Sequence, residues 1–289
     1  MTVYEIITER ITQQLDRGVV PWRKPWDTGL PQNLFTRKHY RGVNVFVLQS
    51  LEFSSPYFLT ARQVSELGGH IRPGSRGAPV VYWRWLKREE EKSERDEQEQ
   101  RGRAPLLRYY TVFNLTQTEG VPAPAGDARP PFAPIEACER VTAQMPRPPQ
   151  IEHGGTQAFY QPSRDFVRIP RRESFKTPAA YYATLFHELT HSTGHGSRLN
   201  RKGITDAVMF GSHEYSREEL IAEMGSAFLA GHCGIETATV PDAAAYIASW
   251  LRVLKGDTRM VVLAAAQAQK AADFILSVKH GDEPPQEVA

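Results

Sequence analysis

Apolar residues recur along this chain at two periods, and the switches between them divide it into elements. Ile6, Ile7, Ile11 and Leu15 fall at helical spacing, so Tyr4 to Leu15 is predicted as an amphipathic helix stopped by Gly18. Phe58 to Thr60 reads as a short strand leading into a helix over Ala61 to Leu67, with Thr60 as its cap and Gly68-Gly69 as its stop. From Pro79 to Leu86, Val81, Trp83 and Trp85 alternate with Tyr82 and Arg84, the period of a strand. The β pattern resumes over Leu106 to Leu115, which makes the charged stretch Arg88 to Arg103 the exposed tip of a long hairpin.

Glu119 to Pro134 holds five prolines and two glycines, the composition of a linker, and places a domain boundary between residues 128 and 129. Beyond it, Ile135 to Ala143 is helical. Ile151 to His153, Ala158 to Gln161 and Phe166 to Pro170 read as short strands, the last two joined as a hairpin by the turn Gln161 to Asp165. Helices are predicted from Thr177 to Gly194, Ser216 to Phe228, Asp242 to Leu254 and Thr258 to Ser277, with a polar, disordered tail from Gly281. The expected fold class is therefore α+β with two domains: a small α+β unit (1–128) and a mainly helical unit with a small sheet (129–289).

Charge sharpens this division. The chain of 289 residues has a net charge of +2, but residues 1–88 carry 13 lysines and arginines against 6 acidic residues. Within that basic third, cations alternate with flat side chains: Trp22, Arg23, Lys24 and Trp26, then Arg37, Lys38, Tyr40 and Arg41, and further on Trp83 and Arg84. Single-stranded nucleic acid asks for that mixture, because its phosphates need charge and its unpaired bases need ring faces. A hydrophobic fraction of 40% with no long apolar run, and a charged amphipathic start, predict a cytoplasmic protein that meets no membrane. Two cysteines, Cys138 and Cys233, are too few for a disulfide framework or a thiolate metal site.

The most specific pattern is His187-Glu188-Leu189-Thr190-His191. On a helix, residues four apart share a face, so both imidazoles can address one ion while Glu188, about a hundred degrees round, reaches a metal-bound water. Thr177 as cap, Pro178 at the first position and Gly194 as terminator support a helix. A third histidine ten residues after the first is absent, since Ser197 stands there; His195 and His213 are weak candidates. The preferred third ligand is Glu219, with Glu223 either holding a histidine's outer nitrogen or ligating instead. Glu223 takes the ligand position if Ser216 and Glu219 form a capping box at the helix start. Zinc suits this donor set, and manganese is also accepted.

Taken together, Pro21 to Trp26, Tyr40 to Asn44, Tyr109 to Leu115, His187 to His191, Glu218 to Leu229, Ser249-Trp250 and Ala264 to Ile275 resemble, in order and spacing, the ArdC-type antirestriction proteins of conjugative plasmids. The resemblance covers nearly the whole chain. It implies a single-stranded DNA-binding domain joined to a zincin-like, gluzincin-type metallopeptidase domain. It also implies protection of incoming plasmid DNA from a host's restriction system during conjugation, in donor and recipient cells. By position, His187 and His191 look like the histidine ligands, Glu188 the catalytic carboxylate and Glu219 the third ligand. A metalloprotease whose first domain recognises protein, and which cleaves a restriction subunit or other regulator, is the competing expectation.

Overall fold

The first helix forms where its apolar stripe predicts. Val3–Asp16 (α1) is closed at its start by a capping box in which Thr2 and Glu5 satisfy each other's backbone N–H groups, leaving Ile7, Ile11 and Leu15 on the buried face. The computed structural model describes residues 2–17, 20, 30–51, 53–86, 104–124, 134–205, 213–235 and 243–278. Trp22, Arg23, Lys24, Trp26, the charged insert, the 128/129 boundary and the tail all lie outside these residues, as do the side chains of Arg84 and His213.

Val43–Gln49 (α2) is helical despite three valines in seven residues, a composition that disfavours helix. Burial overrides the propensity, because Val43 to Leu48 are all buried. Asn44 ties the helix down, donating to the Val81 carbonyl at 2.8 Å and accepting the Val81 N–H at 2.7 Å.

Gln32–Asn33 (β1), Tyr57–Leu59 (β2), Ala78–Leu86 (β4) and Ala104–Asn114 (β5) form one sheet in the order β1-β2-β5-β4. Its main part is a long antiparallel hairpin with Ala78 opposite Val112 and Leu86 opposite Ala104. Thr60 and Gln63 make a second capping box at the start of Ala61–Glu66 (α3), as the spacing predicts. His70–Ile71 (β3) pairs with Thr118–Glu119 (β6).

After Pro134–Gln144 (α4), Gln150–His153 (β7), Phe159–Gln161 (β8) and Phe166–Ile169 (β9) form a three-stranded sheet. β8 and β9 are the expected hairpin, β7 runs parallel to β9, and β8 is left as an edge. Pro178–Ser192 (α5), Lys202–Thr205 (α6), His213–Cys233 (α7), Ala243–Gly256 (α8) and Met260–Ile275 (α9) complete the described chain. The fold is α+β, as the patterning indicates. The largest hydrophobic cluster nevertheless runs across both halves, joining Ile7 and Ile11 of α1 and Phe46 of α2 to Phe186 of α5, Phe228 of α7 and Ala268 of α9. A smaller cluster of Tyr40, Leu48, Phe58, Val80 and Val112 sits under the first sheet.

Candidate metal centre

Thr177 caps α5 by accepting the Ala180 N–H at 3.1 Å, and Pro178 occupies the first turn, so the helix starts in the register that puts His187 and His191 on one face. Their Nε2 atoms point at each other across 3.1 Å. α7 packs alongside at very short range. A Cβ placed on Gly225 would lie 2.5 Å from Thr190 Cγ2, and Ser226 donates to the Ala183 carbonyl at 2.7 Å. This approach brings Glu219 to the histidines, with one carboxylate oxygen 3.6 Å from His187 Nε2 and the other 3.6 Å from His191 Nε2.

The donor set fits a divalent cation. Ligand atoms at ordinary zinc distances in a tetrahedral shell are about 3.4 Å apart; the two Nε2 atoms lie 3.1 Å apart and each is 3.6 Å from its own Glu219 oxygen, close to that value. Among the described residues, His187, His191 and Glu219 form the one such cluster. Electrostatics point the same way. Burial works against a charged His187, yet Glu219, Glu223 and Glu188 outweigh it and hold its pKa above the usual value. A site that draws a proton onto a histidine in this way also attracts a metal ion.

Glu188 lies on the same helix, 7% exposed, where burial raises its pKa against the pull of the two histidines and of the Tyr160 backbone on β8. Burial likewise disfavours a charged Glu219, but His187, His191 and the Tyr215 side chain keep it ionised. Burial beside Glu219 and their hydrogen bond push Tyr215 up to about 12, so the phenol stays a donor.

Several expectations change. α7 begins at His213, so Ser216 is not at the helix start and Glu219 is free of capping duty; it is Glu219 rather than Glu223 that converges with the histidines. Glu223 stays close enough to favour the charged form of His187. The carboxylate behind His191 is Glu218, with Oε1 3.5 Å from Nδ1. His195 turns away to Ser197, 2.9 Å from its hydroxyl. Sequence reading passed over Glu218, Arg201, Tyr215 and Tyr160; Arg201 sits in a loop of glycine, serine and asparagine that carries no pattern.

The predicted DNA-contact residues also divide. Arg37 and Lys38 are exposed on the turn after β1. Tyr40 is in the core, edge-on to Phe58 at 6.2 Å and with its hydroxyl accepting from Asn33, so its ring has no free face for a base. Arg41 is ion-paired with Asp273 of α9, and Trp83 packs edge-on against Tyr4 of α1 at 6.4 Å. Tyr40 and Trp83 are thus spent on packing within the first half and Arg41 on the junction with α9, uses that composition cannot distinguish from DNA contact.

Comparison with known proteins agrees with this organisation. Residues 1–113 match the family described as the N-terminal domain of anti-restriction factor ArdC, and residues 137–267 match a zincin-like metallopeptidase family. The chain is 35% identical over 284 residues to an uncharacterized protein, y4eC, of Sinorhizobium fredii, covering 94% of this chain and 91% of that one. It is 34% identical to an Escherichia coli DNA primase TraC over 95% of this chain, but spans only 27% of that primase. Crystal structures of the antirestriction ArdC protein from R388 plasmid superimpose with TM-scores of 0.75 for the metal-free form, at 36% identity, and 0.76 for the Mn(II)-bound form, at 35%. The metal-free match covers 95% of this chain and 97% of that one, and the Mn(II)-bound match 96% and 98%. Likeness at that level over the whole length, with both domains in the same order, places the chain in the ArdC family of antirestriction proteins.

Proposed function

We propose that this chain is an antirestriction protein that binds single-stranded DNA through residues 1–128. In residues 129–289 it would hold a zinc ion, or manganese in its place, on His187, His191 and Glu219. The observation that carries the reading is the convergence of these three side chains beside the buried Glu188. When bound, such an ion supplies Lewis acidity, polarising a carbonyl and acidifying water.

The chain's own residues do the rest. Glu188 accepts a proton from the attacking water and returns it to the leaving amine. Among the described residues β8 is an edge strand packed against α5, the helix that carries Glu188, which favours an extended peptide as the group presented to the site. The Tyr215 phenol holds Glu219 in place. A restriction subunit or regulator is the class of protein substrate this arrangement would serve, with the DNA-binding half bringing the site to incoming plasmid DNA in the cytoplasm. Trp22, Arg23, Lys24, Trp26, Arg37 and Lys38 are assigned to DNA.

Two measurements on the full chain test this. Titration against labelled single- and double-stranded DNA at two salt concentrations should show strand-selective, salt-weakened binding; no binding to either removes the DNA-directed role. Glu188→Gln should abolish cleavage of a peptide or protein substrate while leaving manganese affinity within a few-fold, and retained cleavage would falsify the proton-transfer role.

A further inference from the structure

The loop after α5 carries an arginine that joins the end of that helix to the carboxylate beside His191. Arg201, itself buried, donates through Nε to Glu218 at 3.1 Å and through Nη2 to the other Glu218 oxygen at 2.5 Å. It also donates to the Thr193 hydroxyl at 2.6 Å and to the Thr190 carbonyl at 2.9 Å, at the end of α5. The guanidinium therefore clamps α7 to the end of the helix that bears both histidines. Close packing of glycines seals the clamp. A Cβ on Gly203 would lie 3.2 Å from the Glu218 Cβ, and one on Gly194 would lie 2.5 Å from Ile204 and 3.1 Å from the guanidinium.

Glu218, 5% exposed, faces the outer nitrogen of His191: Nδ1 is buried, makes no hydrogen bond within the described residues, and has the Glu218 Oε1 3.5 Å away. A neutral imidazole carries one proton, on Nδ1 or on Nε2, and only the bare nitrogen can bind a metal. A carboxylate held by an arginine offers acceptors alone, so it favours the proton on Nδ1 and leaves the Nε2 lone pair facing His187 and Glu219.

We propose that Arg201 and Glu218 are a positioning pair that selects the metal-binding tautomer of His191. The inference rests on the metal reading given above, and it adds residues that touch neither metal nor substrate. The pair spans the site: Arg201 comes from the loop, Glu218 from α7 and His191 from α5, so the interaction that sets the tautomer also ties α7 to the end of α5.

The test uses the full-length chain, metal-free and labelled with 15N in its histidine rings, the His191 signals being assigned by their loss in His191→Gln. Wild type should show His191 with a proton-bearing Nδ1 and a bare Nε2, and Glu218→Gln should show a mixture of tautomers. Manganese affinity by calorimetry should fall about 10–100-fold in Glu218→Gln, with Glu218→Asp, which keeps the charge, recovering part of the loss. A wild-type His191 protonated on Nε2 overturns the proposal without recourse to any variant. So does a Glu218→Gln chain that keeps both the wild-type ring signals and the wild-type affinity. A wild-type chain that takes up no manganese or zinc overturns the metal reading instead, and the ring signals still decide the positioning role.

Discussion

The rings of Phe46 and Phe228 stack 4.9 Å apart at an interplanar angle of 17°, joining α2 of the first half to the helix that carries Glu219. Both rings belong to the main cluster, which α1 and α2 share with α5, α7 and α9. The two halves of this chain therefore fold around a common core. Phe46→Ala should cost about 3–5 kcal/mol, the usual range for a buried phenylalanine. Because the core is shared, near-ultraviolet signals from both halves should be lost in one transition; two well-separated transitions in the wild-type chain would contradict it.

Gly225 sets the distance between α5 and α7, since the nearest Thr190 atom leaves no room for a Cβ. Gly225→Ala should push the helices apart and cost about 1–3 kcal/mol by overpacking. It should also weaken manganese binding, because Glu219 moves with α7. Calorimetric titration checks this: unchanged affinity would mean that the ligands adjust independently of the helix spacing.

Arg41 and Lys38 are neighbours in sequence with different employment. Arg41 is ion-paired to Asp273, and the Gly42 N–H beside it donates to Gln269 of α9 at 3.0 Å. Arg41→Ala should lower the melting temperature and leave the salt dependence of DNA binding almost unchanged. Lys38→Ala should reduce the slope of log affinity against log salt by about 0.7, the value for one phosphate contact on a single strand. Reversed results would return Arg41 to the DNA surface.

Asp165, at the turn of the β8–β9 hairpin, connects the small sheet to the loop after α5. Arg198 donates to one Asp165 oxygen at 3.0 Å and pairs with the other, and it also donates to the Ser192 carbonyl at 2.7 Å and the Arg147 carbonyl at 2.9 Å. Burial alone would raise the Asp165 pKa, but Arg198 and the Tyr160 hydroxyl outweigh it and hold the carboxyl below its ordinary value. A depressed folded-state pKa contributes stability that is present above the unfolded value of about 3.9 and lost as pH falls through the folded value. Asp165→Asn should therefore melt earlier at neutral pH, and its deficit should shrink as pH drops below about 4. A deficit that stays constant across that range would show that the ion pair contributes little to stability.

Local rules decided much of this protein before any tertiary contact. Helix α1 with its Thr2 cap, α3 with Thr60, α5 with Thr177 and Pro178, and the β8–β9 hairpin each follow from neighbours a few residues apart. The pairing of His187 with His191 belongs to the same class, because a helix converts a spacing of four directly into a shared face. Tertiary structure decided the remainder. α2 is helical because it is buried, against its own propensity; Tyr40 and Trp83 pack inside the first half and Arg41 ties it to α9, although their composition suits nucleic acid. The convergence of Glu219 on the two histidines, and the placing of Glu218 and Arg201 behind His191, depend on how α7 lies against α5. That distance is set by the absence of a side chain at Gly225 opposite Thr190, a contact 35 positions apart in the chain that no periodicity records.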